Sequence, residues 1–180
     1  RTIFGFEIPT AWFQSVNPLF IVLLAPVVSA LWVKLGRSKR GDFSSPTKMA
    51  IGMILLGTGF LILLIAILRT GNDASAVVNK AHIIFIVLTY LFHTLGELFL
   101  SPVGLSTVTR LAPLKLASLL MGVWLASSGV ANILAGQLAS VTQSLGYFEV
   151  FAVIGGLAIV LGLILLACSK KLTKMMHLED

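Results

Sequence analysis

An all-α fold embedded in a lipid bilayer is what this sequence predicts, and three observations predict it. Of 180 residues, 57% are hydrophobic and only 11% are charged, against roughly 25% charged residues in an ordinary soluble domain. The mean hydropathy is +1.01. The apolar residues come in five runs of about twenty or more, long enough as helices to cross a ~30 Å hydrocarbon layer. So few charges cannot cover a water-facing surface, which excludes a soluble enzyme. The net charge of +6 does not point to nucleic acid either, because the basic residues sit between the apolar runs, where they set topology.

The expected spans are 11–33, 48–69, 82–109, 117–139 and 148–169. The first opens on Trp12, Phe13 and Gln14 and carries Pro26 in its interior. The connection that follows it, Lys34 to Asp42, is basic and punctuated by Gly36 and Gly41, and leads to Ser44, Ser45 and Pro46. Aliphatic tracts such as Leu61 to Leu68 make the second span plain lipid-compatible scaffold, as is the fifth. A short polar loop, Thr70 to Ser75, precedes the third span, and a loop without basic residues is expected from Ser140 to Tyr147.

Lysine and arginine divide unevenly between the two ends. Lys34, Arg37, Lys39, Arg40, Lys48, Arg110, Lys115, Lys170, Lys171 and Lys174 fall on one side, and Arg1, Arg69 and Lys80 on the other. The excess marks the cytoplasmic side of a cell membrane, which places the C-terminus inside and the N-terminus outside. No signal peptide is recognisable, and an odd number of spans starting outside predicts a preceding helix, hence a piece of a longer protein. The single cysteine, Cys168, excludes an internal disulfide and a cysteine-rich metal site; it reads as a small core or lipid-facing residue.

Candidate chemistry concentrates on the third span. Tyr90, His93, Thr94, Glu97, Ser101 and Gly104 fall within about a 100° arc at helical periodicity. Glu97 lies roughly 22 Å along the helix from His82, past the middle of the bilayer. No other carboxylate lies so deep. A carboxylate at that depth costs several kcal/mol and is a functional candidate by default, the alternative being a structural group satisfied by another helix. His93, one turn away, reads as a relay partner or as a hydrogen-bonded structural histidine. The spans offer too few donors for a metal site. Pro102 removes a backbone donor and clashes with the preceding turn, and Gly96 and Gly104 loosen the helix around it; a gate and a static kink are both open readings. Asn17 suits a polar ligand or a contact between helices, and Gln14 leans to the latter. In the fourth span, Ser118, Gly122, Gly129 and Gly136 make a seam for close helix approach, while Trp124 is either a pocket wall or a packing residue.

The stretch Phe13-Gln14-Ser15-Val16-Asn17-Pro18-Leu19-Phe20-Ile21 and the stretch Gly96-Glu97-Leu98-Phe99-Leu100-Ser101-Pro102-Val103-Gly104-Leu105-Ser106 resemble the proton-coupled oligopeptide transporter family (POT/PTR), a branch of the major facilitator superfamily. Leu111-Ala112-Pro113 and Met121-Gly122-Val123-Trp124 follow at that family's spacing. The resemblance implies helices 8–12 of a twelve-helix major facilitator fold, within its C-terminal six-helix bundle and without the N-terminal bundle. It implies a symporter importing di- and tripeptides by alternating access, with no cofactor beyond the proton gradient. Its partners would be small peptides, protons, the lipid bilayer and the N-terminal bundle, and no nucleic acid. By the same resemblance Glu97 binds the peptide's amino terminus and takes part in proton coupling. Asn17 faces the peptide, Ser101 lines the same site, and Trp124 belongs to a side-chain pocket. The family's E-x-x-E-R motif and its cationic residues for the peptide carboxylate have no counterpart in these residues. Rival readings are a related carrier for nitrate or another small solute, and a structural subunit of a membrane complex. A membrane enzyme built on Ser101, His93 and Glu97 is disfavoured. Two helical turns, roughly 12 Å, separate Ser101 from His93, too far for a nucleophile and its base.

Overall fold

The computed structural model describes residues 2–3, 6–7, 15–38, 41–70 and 82–176. Five helices, each long and apolar enough to cross a membrane, follow one another in sequence order: α1 (Val16–Gly36), α2 (Ser45–Thr70), α3 (Ile83–Leu111), α4 (Ala117–Leu145) and α5 (Tyr147–Met175). The helical expectation holds for all of them. A short antiparallel ribbon, β1 (Thr2–Ile3) on β2 (Phe6–Glu7), precedes them and was not foreseen. Residues 11–14, including Gln14, and the loop residues 71–75 lie outside the described residues.

The helix ends depart from expectation where side chains, rather than hydropathy, set the boundary. The loop expected at 140–147 is almost entirely helical; only Gly146 separates α4 from α5. Ser140 and Thr142 donate back to the carbonyls of Gln137 and Leu138, each at 2.7 Å, so their hydroxyls do not need water to be satisfied. Gly146 has φ 97° and donates its N–H to the Thr142 carbonyl at 3.1 Å. That left-handed backbone is open to glycine and strained for other residues, which is why the reversal takes a single residue. At the start of α2, Ser44 accepts from the Lys48 N–H and its hydroxyl meets that of Thr47 at 2.9 Å. Pro46 sits in the first turn, where a missing N–H costs nothing.

The centre of the bundle is a glycine-mediated contact of α2 with α5 on one side and with α3 on the other. A Cβ on Gly57 would lie 2.5 Å from Ile159 Cγ1 and 2.8 Å from the Gly155 carbonyl, and one on Gly155 would lie 2.8 Å from Phe60 Cβ. Likewise a Cβ on Gly52 would come within 2.9 Å of the Gly96 carbonyl, and one on Gly96 within 2.7 Å of that of Gly52. In lipid, where burying apolar area between helices gains little, such small-residue contacts supply the close packing. Gly96, expected to loosen α3, is where α3 presses on α2. Helix α3 itself runs unbroken through Pro102.

Helices α1 and α4 are attached more loosely. Helix α1 packs mainly on α3 and meets the start of α2 through Trp32 and Lys48, and Val28 is its one buried residue. Between Ala117 and Ser140, α4 buries no side chain, and nothing lies within 4 Å of where a Cβ on Gly122, Gly129 or Gly136 would be. The expected seam on α4 therefore meets no helix among the described residues.

Candidate functional site

Asn17 lies in the first turn of α1, immediately before Pro18. Its position against the middle of α3 brings two residues 77 and 80 positions away into one hydrogen-bonded cluster. Asn17 Nδ2 donates to Glu97 Oε2 at 3.3 Å, and Thr94 Oγ1 donates to Asn17 Oδ1 at 2.5 Å. Thr94 also meets the Tyr90 carbonyl at 2.7 Å. Thr94 is completely buried, at 0% exposure, whereas Glu97 is exposed on the open side of the helix. The geometry is a carboxylate held by one amide from a second helix, with its remaining acceptor capacity free to take a donor from elsewhere.

Ser101, one turn beyond Glu97, is exposed on the same helix. Trp124 comes from α4 and lies over Gly104, its ring atoms occupying the place of the missing Cβ. Trp124 is half-buried, and Ser127 donates to its carbonyl at 2.6 Å. The ring thus packs α4 onto α3 about two turns from Glu97. Asn17, Glu97, Ser101 and Trp124 all border the outer side of α3, away from α2.

The polar stripe read on α3 is divided by its neighbours. His93 turns to α2, where a Cβ on Gly59 would strike its imidazole, and packs with its ring tilted against Phe60 at 4.7 Å. The Leu56 backbone approaches the ring, and Nε2 is buried without a hydrogen-bond partner among the described residues. No hydrogen bond joins His93 to Glu97 or to Ser101 among those residues, so the packing separates the pair that periodicity placed together.

Two features had no clear signal in the sequence. Thr94 read only as one member of the stripe; its link to Asn17 depends on how α1 and α3 meet. The second is a cleft of about 840 Å³ between α1, α3 and the α1–α2 connection. Leu98 and Pro102 line it near the Asn17–Glu97 cluster, and Trp32, Lys48, Arg110 and Met176 line its far end. Since those last four come from α1, the start of α2, the end of α3 and the residue just after α5, the basic ends of these helices share one end of the bundle. There Lys48 pairs with Asp42 and lies 4.4 Å over the Trp32 ring, which in turn packs edge-on against Phe43 and Phe99 at 6.4 and 4.7 Å. Lone Asp42 in a basic loop was the one trace of this clasp in the sequence.

Residues 1–154 match the sequence model described as PTR2, the POT family. The chain belongs to the POT family. Among its relatives, the peptide transporter YePEPT of Yersinia enterocolitica is 43% identical over 138 residues, covering 77% of this chain and 26% of that protein. A di-/tripeptide transporter of Lactococcus lactis subsp. cremoris is 34% identical over 173 residues, 96% of this chain and 33% of that one. Among solved structures, a mutant peptide transporter POT in complex with alafosfalin superposes with a TM-score of 0.83 at 39% identity. It covers 98% of this chain and 34% of that one. The five helices therefore have the fold of a POT transporter within the major facilitator class, and the chain spans about a quarter to a third of the length of the curated relatives it matches.

Proposed function

We propose that this POT chain is part of the C-terminal six-helix bundle, helices 8–12, of a proton-coupled symporter that imports di- and tripeptides by alternating access between two bundles. The observation that carries the reading is the exposed Glu97 carboxylate held by Asn17 in the middle of otherwise apolar spans. Names of relatives such as the di-/tripeptide transporter of Lactococcus lactis support the substrate class. In this reading the basic helix ends face the cytoplasm, and the N-terminal bundle of the same transporter completes the cavity.

Glu97 is the group for which peptide and proton compete. A peptide ammonium pairs with the ionised carboxylate, and a proton on the same group removes that pairing. Binding and proton release are thereby exclusive at one group, which is what coupling requires. Asn17 orients that carboxylate and offers an amide to the peptide backbone. Ser101 adds a hydroxyl one turn along, and Trp124 walls an apolar pocket for variable side chains. Pro102, next to the cleft, and Gly96, at the α2 contact, mark where α3 bends or pivots. The proton gradient supplies the energy, and no cofactor or covalent step enters.

The test is uptake of a labelled dipeptide by the intact parent in proteoliposomes under an inward proton gradient, with unlabelled dipeptide or nitrate as competitor. Competition by dipeptide and loss of accumulation in a folded Glu97→Gln variant are expected. Competition by nitrate alone points to the small-solute reading, and unchanged uptake by Glu97→Gln removes Glu97 from its role.

A further inference from the structure

We propose that Thr94 and Asn17 form a reversible hydrogen-bond chain that follows whether Glu97 carries a proton. The inference rests on the reading of Glu97 as the proton-carrying group and adds to it two residues that do not themselves ionise.

The chain runs from the Tyr90 carbonyl through the Thr94 hydroxyl and the Asn17 amide to Glu97. Its two intermediate links are the side-chain types that can both donate and accept. With Glu97 ionised, the arrangement is the one observed: Asn17 Nδ2 donates to the carboxylate, and Asn17 Oδ1 accepts from the Thr94 hydroxyl. With Glu97 protonated, its O–H needs an acceptor. Turning the Asn17 amide over presents Oδ1 to that O–H and Nδ2 to Thr94 Oγ1. The Thr94 proton then points to the Tyr90 carbonyl, which already lies 2.7 Å away. Every link of the chain is made in both states, and the one proton gained or lost is that of Glu97. Because Thr94 is fully buried, water cannot substitute for either of its bonds, and an unmet partner there carries the full desolvation cost.

Among the described residues, the other ionisable groups on the helices packed around the cluster lie away from Glu97. Helix α4 has no ionisable residue, and the one on α1, Lys34, is near its opposite end. Those of α2 are Lys48 and Arg69, near its two ends. On α3, His93 is turned to Gly59, Arg110 lies in the last turn, and Tyr90 contributes its backbone carbonyl. Thr94 is thus a positioning residue, acting on the proton site through Asn17.

The intact parent in proteoliposomes provides the test, with Thr94→Val, which keeps the shape without the hydroxyl, and Thr94→Ser, which keeps the hydroxyl. Loss of one buried hydrogen-bond link predicts about a tenfold fall in proton-driven dipeptide uptake by Thr94→Val, while peptide counterflow, which needs no net proton movement, is largely retained. Thr94→Ser should restore uptake. Equal loss of both modes, failure of Thr94→Ser, or unchanged uptake by Thr94→Val each overturns the chain. A readout independent of substrate is the infrared difference between acidic and neutral pH on protein with isotope-labelled asparagine. An amide change that accompanies carboxyl protonation, and is lost in Asn17→Leu and Thr94→Val, is expected. An Asn17 amide band identical at both pH values overturns the chain, whether or not dipeptides are moved.

Discussion

Helices α2 and α5 and helices α1 and α4 are all apolar enough to span a membrane, yet they are held in opposite ways. The first pair meets backbone to backbone, with Gly57, Gly155 and Gly162 each lacking room for a Cβ. The second pair leans on α3 through side chains, among them Asn17 on Thr94 and Glu97, Trp32 on Phe99, and Trp124 on Gly104. The candidate site sits entirely on the loosely held side. A closely packed pair outside the polar cluster and a loosely attached pair contributing to it is the division expected of a molecule whose moving parts must contact a ligand.

The comparison breaks most sharply at Gly57. Replacing it by valine forces Ile159 and the Gly155 backbone apart, and overpacking of this kind costs about 3 kcal/mol or prevents folding. Thermal unfolding of the detergent-purified parent should show a large drop. Gly156→Val, one residue from Gly155 but with open space at its Cβ position, should leave the midpoint unchanged, and an equal drop in both variants would dissolve the distinction. On the loose side the expectation inverts. Glu97→Gln should lower proton-driven uptake about tenfold, the effect of losing one charged partner, while leaving the thermal midpoint alone because the side chain is exposed.

Smaller effects sharpen the boundary. Gly104→Ala places a methyl where the Trp124 ring lies, for a cost of about 1–2 kcal/mol. Trp124→Leu should offset part of it, and a double-mutant cycle would measure the coupling. A cycle with no coupling would mean that α4 is held elsewhere. The least effect belongs to the clasp at the basic end. Asp42→Asn removes the pairing with Lys48, but a solvent-accessible ion pair contributes less than about 1 kcal/mol. Unfolding should shift only slightly, and the shift should shrink with added salt.

How much of the site was legible depends on what each residue needs in order to be recognised. Glu97 stands out by chemistry alone, since an ionisable group deep in an apolar helix has few reasons to be there. Asn17 and Trp124 were legible as candidates, and their partners were not: periodicity gives the face of a helix but not which helix covers it. His93 shows the limit, because its shared arc with Glu97 suggested a relay, while α2 took His93 and α1 took Glu97. The small-residue seam shows it again. Gly122, Gly129 and Gly136 have the spacing of a helix contact and meet nothing described, whereas the glycines of α2 and α5 make the contacts.

By itself the sequence determined the class of solvent, the number of spanning helices and the deep carboxylate, because each follows from transfer cost and 3.6-residue periodicity, which are local properties. Family membership was legible for a similar reason, in contiguous motifs around Asn17 and Glu97. Only the tertiary structure decided which glycines are contacts, that α4 runs to within one residue of α5, and that buried Thr94 joins Asn17 to the helix bearing Glu97. Each of those depends on residues far apart in the chain meeting at a distance that no local pattern specifies.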